Sequence, residues 1–370
     1  MAKILYTANT DKHIKLCHLP YLKSLKKKGH VIHVATNTNI ATYYCDQKIA
    51  IPIKRTPFHL SNIKAIFDLK KIISKEKYDL IITNTPMGSV ITRLAGLKTR
   101  RVNKTKIIYI AHGFHFFKGC PKINYLLYYP VEKILSFFTD LIITINEEDY
   151  NIAKQKFKCR IKLIHGIGFD EEKFQKTLTV KEKKAFKEKL GIQKEDFVIS
   201  YIAEISKRKR QKYLIKTLKD IDLRNIKILL VGEDILKNKL SKLLKKYHLE
   251  DNIKMLGFRS DINEILEITD LVISLSSQEG LPLNVLEAMY KNKNILVTDC
   301  RGNRDLISNK NGRLIGLKDK DALINSIMDF KTHNYHFMNR ENSLKYSLTN
   351  IKQQYLDIFL QELENKNDLN

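Results

Sequence analysis

Short runs of β-branched and other apolar residues recur along the chain, and most are followed by a stretch whose apolar positions repeat at helical spacing. In the first half the runs fall at 4–8, 31–35, 80–83, 107–110, 141–145 and 161–164, with amphipathic segments at 19–28, 62–77 and 123–138 between them. Near-continuous Val/Ile runs separated by helices predict a parallel sheet covered on both faces. Residues 165–180 lack periodicity and read as a connection. The alternation then restarts, with runs at 197–203, 226–231, 253–256, 271–275 and 295–298. Two doubly wound α/β halves in series are expected, joined near residue 170. Ligands of open α/β sheets bind outside the carboxyl ends of the strands, so the expected site is the cleft between the halves. A helical stretch at 343–364 is expected to return to the first half. These readings set domains at 1–168 and 169–345, with 346–370 as a C-terminal helix.

A length of 370 residues agrees with two domains of ~150 residues or more. Apolar residues at 43% and charged residues at 29% exclude a disordered or collagen-like chain. The formal net charge is +26, and it is unevenly placed. Residues 1–170 hold 29 basic and 11 acidic side chains, whereas the remaining 200 hold 37 and 29. Such a skew suits nucleic acid, an anionic membrane or an acidic ligand, and it also suits a composition that writes Lys at any solvated position. No basic recognition helix or aromatic RNA motif accompanies the charge, so nucleic acid is not an expected partner.

Five scattered cysteines, none in a C-x-x-C pair, argue against a disulfide framework or a zinc-finger site and fit a reducing cytoplasm. The polar run Thr7-Ala8-Asn9-Thr10-Asp11 stands where a leader needs apolar residues, and no stretch reaches the ~18 apolar residues of a membrane span. A soluble cytoplasmic protein is expected, resting at most on the inner face of the membrane. Gly166-x-Gly168 lacks the third glycine of a dinucleotide fingerprint, and there is no P-loop.

The most informative stretch is Ser276-Ser277-Gln278-Glu279-Gly280-Leu281-Pro282-Leu283-Asn284-Val285-Leu286-Glu287-Ala288-Met289. It follows a buried strand. Gly280 permits an unusual turn, and Pro282 suits a first helical position, where no N–H is needed. The N–H groups that follow form an anion site. Glu279 in the loop and Glu287 on the helix are carboxylates able to hold adjacent hydroxyls, as on ribose. The arrangement suits a sugar nucleotide; the same spacing also suits a capped helix carrying surface glutamates.

Glu279-x7-Glu287 in this setting resembles the signature of the family four glycosyltransferases, retaining enzymes of the GT-B fold. Thr7-Ala8-Asn9-Thr10 with His18-Leu19-Pro20-Tyr21-Leu22, Ala111-His112-Gly113-Phe114-His115-Phe116, His165-Gly166-Ile167-Gly168-Phe169-Asp170 and Arg301-Gly302-Asn303-Arg304-Asp305 resemble its capsular and exopolysaccharide branch. The resemblance spans essentially the whole chain. It implies two Rossmann-like domains facing across a cleft and a sugar transferred from a nucleotide sugar, a UDP-sugar, to a growing lipid-linked surface polysaccharide. It implies His112 near the donor sugar, Glu279 at its hydroxyls, Gly280, Leu281, Pro282 and Leu283 at the diphosphate and sugar, Glu287 at the ribose and Lys209 at the phosphates. Glu204 stands where relatives carry arginine, and Arg208 is the candidate to replace that missing cation.

The implied mechanism retains anomeric configuration and requires no metal or other cofactor: Lys209 and the helix start face the departing diphosphate. Asp220-Ile221-Asp222 and Asp319-Lys320-Asp321 have the spacing of a metal-binding Asp-x-Asp but lie in polar turns and read as surface features. For the acceptor side, Lys23, Lys26, Lys27, Lys70 and Lys71 are expected on one basic face that meets an anionic membrane. Ile123, Leu126, Leu127, Ile134 and Leu135 are expected in the core. The Phe-rich loop (Phe114, Phe116, Phe117) is open between core and membrane interface. Two other classes fit the same architecture, a nucleotide-sugar epimerase and a catalytically silent accessory subunit.

Overall fold

A computed structural model describes residues 1–333 and 335–367. It divides into two compact units, Met1–Gly168 with the chain from Thr349 onward, and Phe169–Leu348. The break back to the first unit thus falls three residues beyond the expected domain end at 345.

The first unit is built on seven parallel strands: β1 (Lys3–Thr7), β2 (Val31–Thr36), β3 (Gln47–Ala50), β4 (Leu80–Asn84), β5 (Lys106–Ala111), β6 (Leu141–Thr144) and β7 (Arg160–Leu163). Their order is β3-β2-β1-β4-β5-β6-β7. The second unit has six: β8 (Phe197–Ile202), β9 (Ile226–Val231), β10 (Ile253–Gly257), β11 (Leu271–Ser274), β12 (Asn294–Thr298) and β13 (Arg313–Ile315). Their order is β10-β9-β8-β11-β12-β13. The pairings are parallel, such as Leu5↔His33 and Ser274↔Val297, with a register shift between Met255 and Gly257 where β10 meets β9. Strand order reverses between β1 and β4 and between β8 and β11. These are the switch points where doubly wound sheets bind ligands.

Alternation along β1 assigns the covering helices. Leu5 packs with Ala65, Leu69 and Ile73 of the helix Ser61–Glu76. Its neighbour Tyr6 points the other way, towards His18 and Phe359, at ring separations of 5.9 and 6.4 Å. The helices Leu19–Lys27 and Leu348–Asn367 therefore cover one face of the sheet and Ser61–Glu76 covers the opposite one. This corrects the expected basic face: Lys23, Lys26 and Lys27 sit on one side of the sheet, Lys70 and Lys71 on the other. The C-terminal helix is held by Tyr355, whose hydroxyl donates to Gly166 O at 3.0 Å, and by Arg160–Glu362 at 2.5 Å.

A second correction concerns the helix Lys122–Ser136. Ile123, Leu126 and Ile134 are 53%, 70% and 59% exposed, and of the expected core set Leu135 is buried. The Phe-rich loop is buried instead: Phe114 stacks on Phe116 at 4.9 Å and both pack on Phe157. Among the described residues no helix is long and apolar enough to cross a membrane.

Candidate active site

In the second unit, the loops after β8 and β11 converge at the switch point. Tyr201, buried on β8, ties them: its hydroxyl donates to Lys209 O and accepts from Leu275 N at 2.8 Å. Ser277 N donates to Arg208 O at 2.9 Å. Backbone pairing of two loops about 70 residues apart in sequence brings their side chains together.

Lys209 Nζ meets Glu279 Oε1 at 2.5 Å, and Arg208 Nη1 meets Glu279 Oε2 at 3.1 Å. Arg208 also donates to Gln278 O at 2.9 Å. Lys209 and Glu279 are both buried, whereas Arg208 is partly open to solvent. Burial alone would raise the Glu279 carboxyl; Lys209 and Arg208, with hydrogen bonds from Lys209 and Ser276, outweigh it and hold the group below the usual carboxylate range. The result is an ionised carboxylate between two cations at the mouth of a strand. Glu204 is exposed, and the cations of this loop that meet Glu279 are Arg208 and Lys209.

Pro282 is the N-cap of the helix Leu283–Tyr290, with an extended backbone (φ −77°, ψ 117°), so the helix starts one residue later than expected. The first helical bond runs from Leu286 N to Pro282 O, so the N–H groups of Leu283, Asn284 and Val285 precede it. Asn284 anchors this start by donating to Ile202 O at 2.9 Å. The unusual backbone angle belongs to Gly302 rather than Gly280. Gly302 has φ 79°, and a Cβ there would lie 2.4 Å from Gly280 O. Arg301 Nε donates to the Glu279 carbonyl at 3.0 Å. The Arg-Gly-Asn-Arg-Asp block thus acts as a backing plate for the Glu279 loop. Gly232 does the same for the β8 loop, since a Cβ there would meet Ala203 O at 2.1 Å.

Glu287 lies on the fifth residue of the helix, partly covered, and burial pushes its carboxyl up to about 8 against a weak downward pull from Lys173. The Asp-x-Asp candidates are exposed and occupied by surface tasks: Asp222 pairs with Arg224, and Asp319 caps the helix Lys320–Thr332. His112 belongs to the first unit, directly after β5. Burial, and then His13, hold its pKa well below the ordinary value, so the ring is neutral. The structure therefore brings Arg208, Lys209, Glu279, Gly280, Leu281, Pro282 and Leu283 together in one place, with Glu287 one helical turn on. Tyr201, Asn284 and Arg301 were not among the expected site residues, although Asn284 and Arg301 lie in two of the quoted motifs.

Comparison with known proteins fits this geometry. The family described as Glycosyl transferases group 1 matches residues 182–347, and the one described as Glycosyl transferase 4-like matches residues 3–146. EpsD of Bacillus subtilis, named as a glycosyltransferase, is 41% identical over 88% of this chain and 86% of its own. The chain is a family four glycosyltransferase. Two further relatives of this glycosyltransferase are the UDP-Gal:α-D-GlcNAc-diphosphoundecaprenol α-1,3-galactosyltransferase of Escherichia coli and the capsular polysaccharide biosynthesis glycosyltransferase CapM of Staphylococcus aureus. The first is 28% identical over 83% of this chain and 81% of its own; the second is 25% identical over 88% and 86%. The crystal structure of HepE of Anabaena in complex with UDP-glucose superposes with a TM-score of 0.76 at 19% identity, covering 98% of this chain and 100% of that one. The fold is GT-B, and the enzyme works in the synthesis of exopolysaccharide or capsule.

Proposed function

We propose that this glycosyltransferase moves a sugar from a UDP-sugar to a lipid-linked glycan, with retention of anomeric configuration and without a metal at the diphosphate. The observation that carries this reading is the Arg208–Lys209–Glu279 cluster beside the free N–H groups of the helix Leu283–Tyr290. An ammonium has three donors, so Lys209 can keep Glu279 and still hold a phosphate oxygen. Two cations and a helix start supply the charge that a departing diphosphate needs. Glu279, ionised and with its lone pairs facing the same space, accepts from hydroxyls of the donor sugar. Glu287 takes the ribose hydroxyls. His112, neutral, approaches the sugar as a hydrogen-bonding group rather than a charge.

For the acceptor, the first unit offers a cavity of about 530 Å³ outside β4 and β5, lined largely by apolar residues including Pro57, Met87, Phe114 and Leu127, with Arg55 at its wall. An apolar pocket with one cation suits a lipid carrying a phosphate. The exposed apolar side of the helix Lys122–Ser136 borders this pocket through Leu127 and Val131, and it supports peripheral contact with a membrane in place of the dispersed lysines.

The test is transfer from UDP-sugars to a synthetic polyprenyl-diphosphate sugar, with the product's anomeric configuration read by NMR. Retention in the product supports the proposal, and inversion overturns its mechanism. Conversion of the donor to an epimer without acceptor would instead establish an epimerase. No turnover together with no UDP binding would establish an accessory subunit.

A further inference from the structure

Three histidines meet in the first unit. His13 lies on the helix Asp11–Cys17, His18 separates that helix from Leu19–Lys27, and His112 follows β5. One ring nitrogen of each lies within 4.8 Å of the other two. The His112 ring stands nearly perpendicular to both others, at 83° and 89°, so the three converge through their edges rather than stacking. His13 Nε2 and His18 Nε2 are 3.4 Å apart. Nε2 of His112 and Nδ1 of His18 are buried with no hydrogen-bond partner.

A hydrogen bond between His13 and His18 explains one contact of this cluster, and at 3.4 Å it is a long one. It leaves the orphaned Nε2 of His112 unexplained, although buried polar atoms are rarely left unpaired. A tetrahedral zinc ion accounts for both. Zinc holds imidazole nitrogens at about 2.0–2.1 Å, which sets neighbouring ligand nitrogens about 3.3 Å apart. His13 and His18 already have that spacing, and His112 has to close by at most about 1.5 Å, within reach of a ring reorientation.

We propose that His13, His18 and His112 form a three-histidine zinc site with an open fourth position. A set made only of imidazoles selects zinc and its neighbours nickel and copper over magnesium or calcium. Arg55 is the charged group that bears on His13; its field opposes a bare cation and favours an anionic fourth ligand, such as hydroxide or a phosphate oxygen. His112 is also the residue assigned above to the donor sugar. Zinc-loaded enzyme is therefore expected to transfer more slowly, a consequence that rests on that assignment, whereas metal binding does not.

The experiment uses full-length protein stripped with chelator and dialysed against zinc chloride, with bound metal measured per chain. A parallel cobalt(II) titration follows the visible absorption of a tetrahedral site. One zinc per chain is expected, displacing the cobalt band. His13→Gln and His18→Gln should each weaken binding by at least the ~10–100-fold that disturbing a metal site's outer contacts costs. His165→Gln and His248→Gln should leave it unchanged. Circular dichroism establishes that each variant is folded, and two variants guard against either one failing to fold. No zinc on folded wild-type protein, or zinc retained in full by both folded variants, overturns the site. Zinc bound as expected but without any effect on transfer would leave the site standing and remove His112 from the donor reading.

Discussion

Glu287, in the ribose-holding role proposed for it, is the residue expected to make nucleotide binding pH-dependent. Its carboxyl is raised to about 8 by burial, far above the ordinary value of 4.5. The folded protein therefore holds a proton that the unfolded chain releases, and stability falls as pH rises from about 4.5 to 8. In the proposed role Glu287 holds the ribose hydroxyls as an ionised carboxylate, so UDP binding should run the opposite way, roughly tenfold tighter at pH 9 than at pH 7. Calorimetric titration over that range checks the slope, and Glu287→Gln should flatten it while raising the melting temperature of the ligand-free enzyme at pH 8. Lys209→Ala belongs to the same scale. Removing the buried cation should lower kcat roughly 10²–10³-fold, as loss of one preorganised charge donor does. It should also leave Glu279 buried with Arg208 as its remaining ion-pair partner, so the apo protein should melt lower. The candidate donor residues Glu279 and Glu287 were legible because they share one local motif. That Lys209 grips Glu279 was not, because the contact depends on Tyr201 stitching together loops that are distant in the chain.

At the scale of elements, the central strands β1, β4, β8 and β11 were legible because their covered faces make them read as near-continuous apolar runs. The edge strands β3 (Gln47–Ala50) and β13 (Arg313–Ile315) escaped because each has only two consecutive apolar residues, too few to set a period. The helix Lys122–Ser136 shows a different limit: periodicity reveals an apolar stripe but not what lies against it. The side of this helix that does face the protein is fixed by a buried ion pair. Arg93, fully buried on the helix Pro86–Val102, meets Glu132 at 2.7 Å and stacks over Tyr109 at 4.5 Å. Glu132→Ala should cost about 3–5 kcal/mol in urea unfolding, because it strands a buried guanidinium. On the exposed side, Leu126→Glu with Ile134→Glu should leave stability within about 0.5 kcal/mol per site. The same pair should sharply reduce co-sedimentation with anionic vesicles. Unchanged vesicle binding would remove this helix from the membrane reading.

At the scale of the whole molecule, the chain is two sheets with separate cores, and its last helix belongs to the first of them. Tyr355 and Phe359 cover Tyr6 and Tyr21, all four buried, with Tyr21 and Tyr355 in edge contact at 5.1 Å and Tyr6 and Phe359 at 6.4 Å. Tyr21 and Tyr355 also donate to Ile167 O and Gly166 O, so the helix fastens the end of the first unit as well as its face. The loops after β8 and β11, by contrast, draw the hydrogen-bond and ion-pair partners described above from residues 201–302. Ending the chain after Leu348 should therefore act on one unit alone. Aromatic side chains lose cover worth about 3–5 kcal/mol each when removed from a core, so the first unit should melt far earlier or fail to fold. The second unit should keep its transition, and UDP at 100 times its dissociation constant should still raise that transition by the ~2.7 kcal/mol expected of any ligand bound only to the folded form. Differential scanning calorimetry of full-length and shortened protein, each with and without UDP, separates the two. Loss of the UDP response on shortening would mean that nucleotide binding depends on the first unit, and the second could no longer be treated as a self-sufficient donor module.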